Sequence, residues 1–246
     1  MDRLIYTAMT GANAAAHRQA VLSNNLANAS TNGFRAELST YRAVPLRGDG
    51  STTRVFALEA TSGHLETPGA AQNTGRAMDV MATRNAWFAV QALDGTESYT
   101  RNGSLQIGAD GTLQTSTGLA VLSDGGAPIT IPAGAGLSIG ADGSLGAKVP
   151  GQPSNVVGRL KMVTPGADDP VKRGDDGLFR ATSGNPLPSD TQARLQAGML
   201  EGSNVNPIET MVGMIQTARQ FEQQMRLLQT AESNDRSAGQ LLSLQG

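Results

Sequence analysis

The stretch GLSIG at 136–140 has the G-x-S-x-G form of a nucleophile elbow, with Ser138 as its hydroxyl. Such an elbow works as a sharp strand-to-helix turn that presents the serine, with a histidine downstream to take its proton. No histidine follows His64 here and no helical pattern follows Gly140, so a glycine-rich β turn is the favoured reading. The longer GAGLSIG places its last glycine one residue too late for a G-x-G-x-x-G dinucleotide loop, and no βαβ unit surrounds it. His17 and His64 are the only histidines, and neither has a metal-ligand partner at a recognisable spacing. The loop GADDPVKRGDDG (166–177) offers Asp168, Asp169, Asp175 and Asp176 to a calcium ion. Their spacing is not that of an EF-hand and Lys172 and Arg173 lie among them, so a solvated loop is expected. The chain has no cysteine, which excludes disulfides, thiolate zinc sites and cysteine nucleophiles. No enzyme activity, cofactor or metal site is expected.

If no residue set carries chemistry, the elements themselves must carry the function. The 246 residues hold only 4% aromatics and 39% hydrophobics, so any core is modest. A net charge of -2 argues against nucleic acid, whose phosphates need clustered Lys and Arg. No run of apolar residues is long enough to span a membrane. Leu4 to Ala16 resembles the apolar region of a signal peptide, but Thr7, Thr10, Gly11 and Asn13 interrupt it, so a retained helix is expected.

Both ends read as helices. Leu4, Ala8, Gly11, Ala15, Gln19, Leu22 and Leu26 recur in steps of four and three, a heptad-like seam of mostly small residues. The stretch SNNLANASTNGF (23–34) closes that helix with Asn24, Asn25, Asn28 and Asn32. Asn32-Gly33 suits a left-handed stop, with Phe34 folding back on it. Near the other end Asn206 suits a cap, Pro207 the first helical position and Glu209 the third. Met211, Met214, Ala218, Phe221, Met225 and Leu228 then form an apolar stripe, widened by Ile208, Val212 and Ile215. Its strong part, 207–232, would span about 39 Å. The pattern weakens after Glu232, although Ala238, Leu241 and Leu242 continue it.

Between the ends, Asp-Gly pairs at 49–50, 94–95, 110–111, 124–125, 142–143 and 176–177 signal tight hairpins. WFAVQAL (87–93) reads as a buried strand and 98–122 as three short strands. NVVGRLKMV (155–163) reads as another. IGADGTL (107–113) is echoed by IGADGSL (139–145), a local strand-turn-strand repeat. The expected fold class is α+β, with paired N- and C-terminal helices forming a coiled coil that flanks an inserted all-β domain. The expected boundaries are 1–34 with 206–246 for the helical part, 35–75 for an extended connection, 76–198 for the β domain and 199–205 for a linker. A seam rich in Ala and Gly buries little area, so the helical ends are expected to be loose in the monomer and to order on assembly.

SNNLANASTNGF and LEGSNVNPIETMVGMIQTARQFE (200–222) resemble the N- and C-terminal signatures of the bacterial flagellar rod and hook proteins. SYTRNGSLQIGADGTLQTSTGLAVL (98–122) is similar to the strand region that these proteins share. MDRLIYTAMTGA, the YRAVPL at 41–46 and a short 35–75 segment favour the proximal-rod branch over the distal-rod branch. A surface-exposed β-domain binding module tethered by helices is the reading outside the family.

The resemblance implies an axial, non-enzymatic subunit that polymerises into the rod transmitting torque from motor to hook. It implies export through the flagellar type III apparatus without a cleaved signal, a place in the rod that crosses the periplasm, and contacts with further copies and with the rod proteins FlgB, FlgC and FlgG. Leu22, Asn24, Asn25, Leu26, Asn28, Asn32, Gly33, Phe34, Asn204, Asn206, Met211, Met214, Ile215, Phe221, Met225 and Leu228 are then expected to lie at subunit interfaces. Of these, Asn24, Asn25 and Asn28 are expected to fix register between subunits.

Overall fold

The computed structural model describes residues 2–45, 55–151 and 153–243, and among them two helices and sixteen strands. The chain divides into two compact units. One gathers 1–27, 37–63 and 205–246, the other 28–36 and 64–204.

In the first unit, helix α1 (Asp2–Ala27) packs along helix α2 (Pro207–Ser243). They run antiparallel, because Gly11 lies against Gln224 while Leu22 lies against Gly213. The start of α2 follows its sequence signals: Asn206 Oδ1 accepts the N–H groups of Ile208 at 3.2 Å and Glu209 at 3.3 Å. Those are two of the donors that a helix N-terminus leaves unpaired. Helix α1 ends sooner than Asn32-Gly33. The Asn28 carbonyl accepts Thr31 N–H at 3.1 Å and the Asn28 side chain accepts the Thr31 hydroxyl at 3.1 Å, so the chain turns there. Strands β1 (Glu37–Pro45) and β2 (Val55–His64) pair as a two-stranded ribbon. The Tyr41 hydroxyl of β1 donates to the Ala14 carbonyl of α1 at 3.1 Å. Much of the described part of the segment expected to be an extended connection is strand. The Asp49-Gly50 pair, and the side chains of Leu4, Ala238, Leu241 and Leu242, lie outside the described residues.

The expected fold class needs correction. Strands far outnumber helices, part of the strand structure sits with the helices, and the helix pair is not built as the anticipated coiled coil. A coiled coil would bury the apolar stripe as knobs between the helices. Here α2 instead buries Thr210 (8% exposed), Thr217 (2%) and Ala231 (2%), with Gln224 half-buried between them. The stripe is turned away, with Met211 at 50%, Ile215 at 55%, Phe221 at 39% and Met225 at 39%. The reason lies in α1, which offers Ala8, Ala12 and Ala15 as its buried residues. A flat alanine face matches small partners, and bulky methionines would hold the helices apart. Threonine is tolerated because its hydroxyl bonds its own helix, as Thr217 does to the Gly213 carbonyl at 2.8 Å.

In the second unit, strands β5 (Trp87–Gln91) and β6 (Glu97–Thr100) form the centre of a five-stranded sheet. Its order is β12 (Met162–Val163), β5, β6, β14 (Phe179–Ala181), β13 (Val171–Arg173). Both faces of β5 are buried. Phe88 and Val90 join one apolar cluster with Leu105, Leu113, Leu145 and Met162. Trp87 and Ala89 join another with Tyr99, Val163 and Phe179. Strand β3 (Ala71–Asn73) pairs with β16 (Met199–Glu201), and β4 (Val80–Ala82) with β15 (Leu195–Ala197).

The repeated IGADG[TS]L heptapeptides fold alike. Each joins two antiparallel strands, β7 (Leu105–Ile107) to β8 (Leu113–Thr115) and β9 (Gly136–Ile139) to β10 (Ser144–Lys148). Gly108 N–H donates to Thr112 O at 2.8 Å, and Gly140 N–H to Ser144 O at 2.8 Å. Gly111 and Gly143 take positive φ, 80° and 86°. Asp110 and Asp142 accept the N–H two residues on, both at 3.1 Å.

Ser138 sits in the middle of β9 and its hydroxyl donates to the Gly146 carbonyl of β10 at 3.1 Å. That is a hairpin strand, not a strand-to-helix elbow. The charged loop is the β13–β14 hairpin. Asp176 accepts from Arg180 at 2.6 Å, and Asp169 accepts both the N–H (2.9 Å) and the hydroxyl (2.7 Å) of Ser183. Among the described residues no cluster of side chains is arranged to hold a metal ion, and no helix is long and apolar enough to cross a membrane.

Candidate assembly surface

The first candidate surface is the outward side of α2. Ile208, Met211, Val212 and Ile215 are spaced by three and four residues, so they form one continuous apolar patch. At 100° per residue that patch lies opposite the Thr210, Thr217, Gln224 and Ala231 seam. All four of its members are exposed, Ile208 at 76%. Phe221 and Met225 lie on the flank, while Met214 and Leu228 are half-buried nearer the seam. Scattered apolar side chains on a surface need no explanation, but a contiguous helical stripe does.

The asparagines are engaged within the chain. Asn25 is buried, donates to the Glu37 carbonyl at 3.0 Å and accepts the Glu37 N–H at 2.9 Å. Asn24 donates to the Glu37 carboxylate at 3.4 Å. Leu22 and Leu26 are half-buried, as are Asn28 and Asn32 in the turn after α1.

Gly33, Phe34 and Asn204 belong to the second unit and are built into it. Gly33 takes φ 71° and donates to Glu201 O at 2.8 Å, and Phe34 is buried under the Arg173 guanidinium at 4.3 Å. A Cβ on Gly33 would lie 2.4 Å from the Arg101 carbonyl carbon. Asn204 accepts Ala36 N–H at 2.7 Å and donates to the carbonyls of Leu65 at 3.0 Å and Thr67 at 2.8 Å.

Beneath these residues lies a feature that sequence reasoning missed. Arg35, Arg101 and Glu201 are each 1% exposed and form a buried ion triad. Glu201 Oε1 lies 2.7 Å from Arg35 and Oε2 lies 2.8 Å from Arg101 Nε. Gly69 N–H also donates to Glu201 at 3.0 Å. Arg101 reaches the carbonyls of Ala82 and Ala86, and Arg35 that of Thr67. Burial pushes both guanidinium pKa values down, and the Glu201 carboxylate opposes the shift. The signal in the sequence was faint: three charges far apart in the chain, in F-R-A, T-R-N and L-E-G. Nothing local says that they meet.

Three family descriptions match the chain in order. "Flagella basal body rod protein" matches residues 5–35, "Flagellar hook protein FlgE/F/G D1 domain" 83–147, and "Flagellar basal body rod FlgEFG protein C-terminal" 196–241. Each triad residue comes from a different one of these segments. The chain is similar to the flagellar basal-body rod protein FlgF of Salmonella typhimurium, 46% identical over 99% of this chain and 100% of that protein. FlgF of Escherichia coli is likewise 46% identical over 99% of this chain and 100% of its own length. The flagellar basal-body rod protein FlgG of Buchnera aphidicola (subsp. Acyrthosiphon pisum) is 29% identical over 96% of this chain and 98% of its own.

Proposed function

The chain belongs to the flagellar basal-body rod protein family and is a structural subunit of that rod, not an enzyme, and on this premise we propose that it polymerises through the outward face of α2. The carrying observation is that face itself: Ile208, Met211, Val212 and Ile215 exposed together on a helix whose other side is already covered. Phe221 and Met225, also exposed, border it on the flank toward the C-terminus.

Burial of a large apolar side chain is worth about 1.5–3 kcal/mol. A stripe of them can drive a contact between copies that the polar, self-bonded seam facing α1 cannot. A contact that joins one patch to a different patch on the next copy propagates instead of closing, which yields a filament. The rod so formed carries torque from motor to hook.

FlgF is the name borne by the relatives at 46% identity. That supports placing this chain at the proximal end of the rod, in the periplasm, with FlgB, FlgC and FlgG as its neighbours. Delivery through the flagellar type III export apparatus without signal cleavage completes the reading. Leu22, Leu26, Asn24 and Asn28 are assigned to contacts of the same assembly. The test replaces Phe221 or Met225 with Asp. The expected result is a folded β unit with an unchanged melting midpoint, loss of polymerisation, and flagellar growth arrested at the rod stage. Normal rods from both variants would remove the α2 face as the interface.

A further inference from the structure

We propose that residues 64–69 form a strap over the buried Arg35–Glu201–Arg101 triad, and that His64 is the anchor whose protonation releases it. The strap is held at each step. His64 packs its ring edge-wise against Phe179, with centroids 4.7 Å apart, and against Trp87 at 5.9 Å. Leu65 N–H donates to Ala36 O at 2.8 Å. The Leu65 and Thr67 carbonyls both accept from Asn204, and Thr67 also accepts from Arg35. Gly69 N–H ends the strap on the Glu201 carboxylate, and Gly69 has no room for a side chain, since a Cβ would fall 2.0 Å from Gly202 O. The outer side chains, Leu65 to Pro68, are exposed. This short segment therefore separates three buried charges from water.

The neighbours of His64 decide the sign. Arg35 faces it from the turn after α1 and Arg173 from β13, and both oppose a charge on the imidazole. Glu66, on the strap itself, favours it. The rings of Trp87 and Phe179 remove water, and the Trp87 ring already carries the Arg101 guanidinium 5.8 Å from its centroid. Burial and two cations outweigh the one carboxylate, so His64 packs as the neutral ring. A proton added there places a further cation beside the guanidiniums of Arg173 and of Arg35, the latter paired with Glu201. The response that lowers the repulsion is for His64 to leave its ring contacts and take the rest of the strap, residues 65–69, with it. Because the folded form disfavours the proton, the anchoring is complete above the ordinary imidazole value of 6.5 and weakens as pH falls below it.

Hydrogen exchange on the full-length chain at pH 7.5 and 5.5, corrected for intrinsic rates, tests this. The expected result is a severalfold loss of protection at the Leu65 and Gly69 amides on acidification. The Ala89 amide, bonded to Lys161 O in the central sheet at 3.0 Å, keeps its protection. His64→Phe preserves ring packing without a titrating group and should abolish the pH dependence. Glu66→Gln removes the one group that favours the proton and should move the release to lower pH. Strap protection that does not change with pH in the native chain overturns the proposal. So does an equal loss in the His64→Phe chain, or a Glu66→Gln chain that opens at higher pH.

Discussion

The two units solve burial in opposite ways. The β unit hides most of its large residues: Trp87, Phe88, Tyr99, Leu105 and Leu113 are each 1% exposed or less, and one ion triad is sealed inside, although Leu93 and Val156 stay outside. The helical unit hides its small residues, Ala8, Ala12, Ala15, Thr210 and Thr217, and leaves Ile208, Met211, Val212 and Ile215 outside. The helical unit has its interior filled and its largest apolar groups still in water. A residue type that lies in the core of one unit lies on the surface of the other.

The strongest way to break this contrast is to leave an ion unpaired in the sealed unit. Glu201→Ala removes the one carboxylate between Arg35 and Arg101. The expected loss is about 3–5 kcal/mol in denaturant unfolding followed by Trp87 fluorescence. Gly103→Ala should cost about 3 kcal/mol by the same measurement, because a Cβ there would fall 1.7 Å from Val80 O and neither backbone can yield. In the helical unit, Asn25→Ala removes the amide that bonds both the N–H and the carbonyl of Glu37, an expected cost of about 2 kcal/mol seen in the helical circular dichroism signal. Ile215→Gln, on the outward face, should change monomer stability by no more than about 0.5 kcal/mol while weakening self-association in sedimentation. A large loss of stability there would mean that the face is part of the monomer core.

Acid should separate the units most gently. Asp94, Asp110, Asp142 and Asp169 are held below the ordinary carboxylate value of 3.8, chiefly by hydroxyl and N–H donors from Thr96, Thr112, Ser144 and Ser183. Their contribution is complete above that value and is lost as pH falls through the lower, folded ones. A pH titration of melting midpoints should show the β unit softening below about pH 4, and Asp110→Asn should reduce the slope.

Local chemistry was legible in the sequence and long-range partnership was not. Asn206-Pro207 marked the start of α2, and the IGADG repeats marked two hairpins, because each needs only neighbours within a few residues. The heptad pattern located α2 but misassigned its inward face. Periodicity reports that an apolar side exists, not which partner covers it, and the alanines of α1 selected the opposite side. The triad could not be read at all, since Arg35, Arg101 and Glu201 acquire their meaning from closure of loops spanning most of the chain. Asn25 lay between these cases. Its amide was recognised as a pairing group, and its partner proved to be β1 of the same chain.

That pairing has a further meaning for the ribbon. Among the described residues β1 pairs with β2 as a two-stranded ribbon, and the edges of such a ribbon are of the kind that can recruit foreign strands. By bonding both the N–H and the carbonyl of Glu37, the Asn25 amide occupies one such edge as a neighbouring strand would, and it does so from a helix, which has no further edge to offer. The first rung is closed to intruders before any copy meets another. A subunit proposed to assemble through a helix would thereby be guarded against pairing through a sheet.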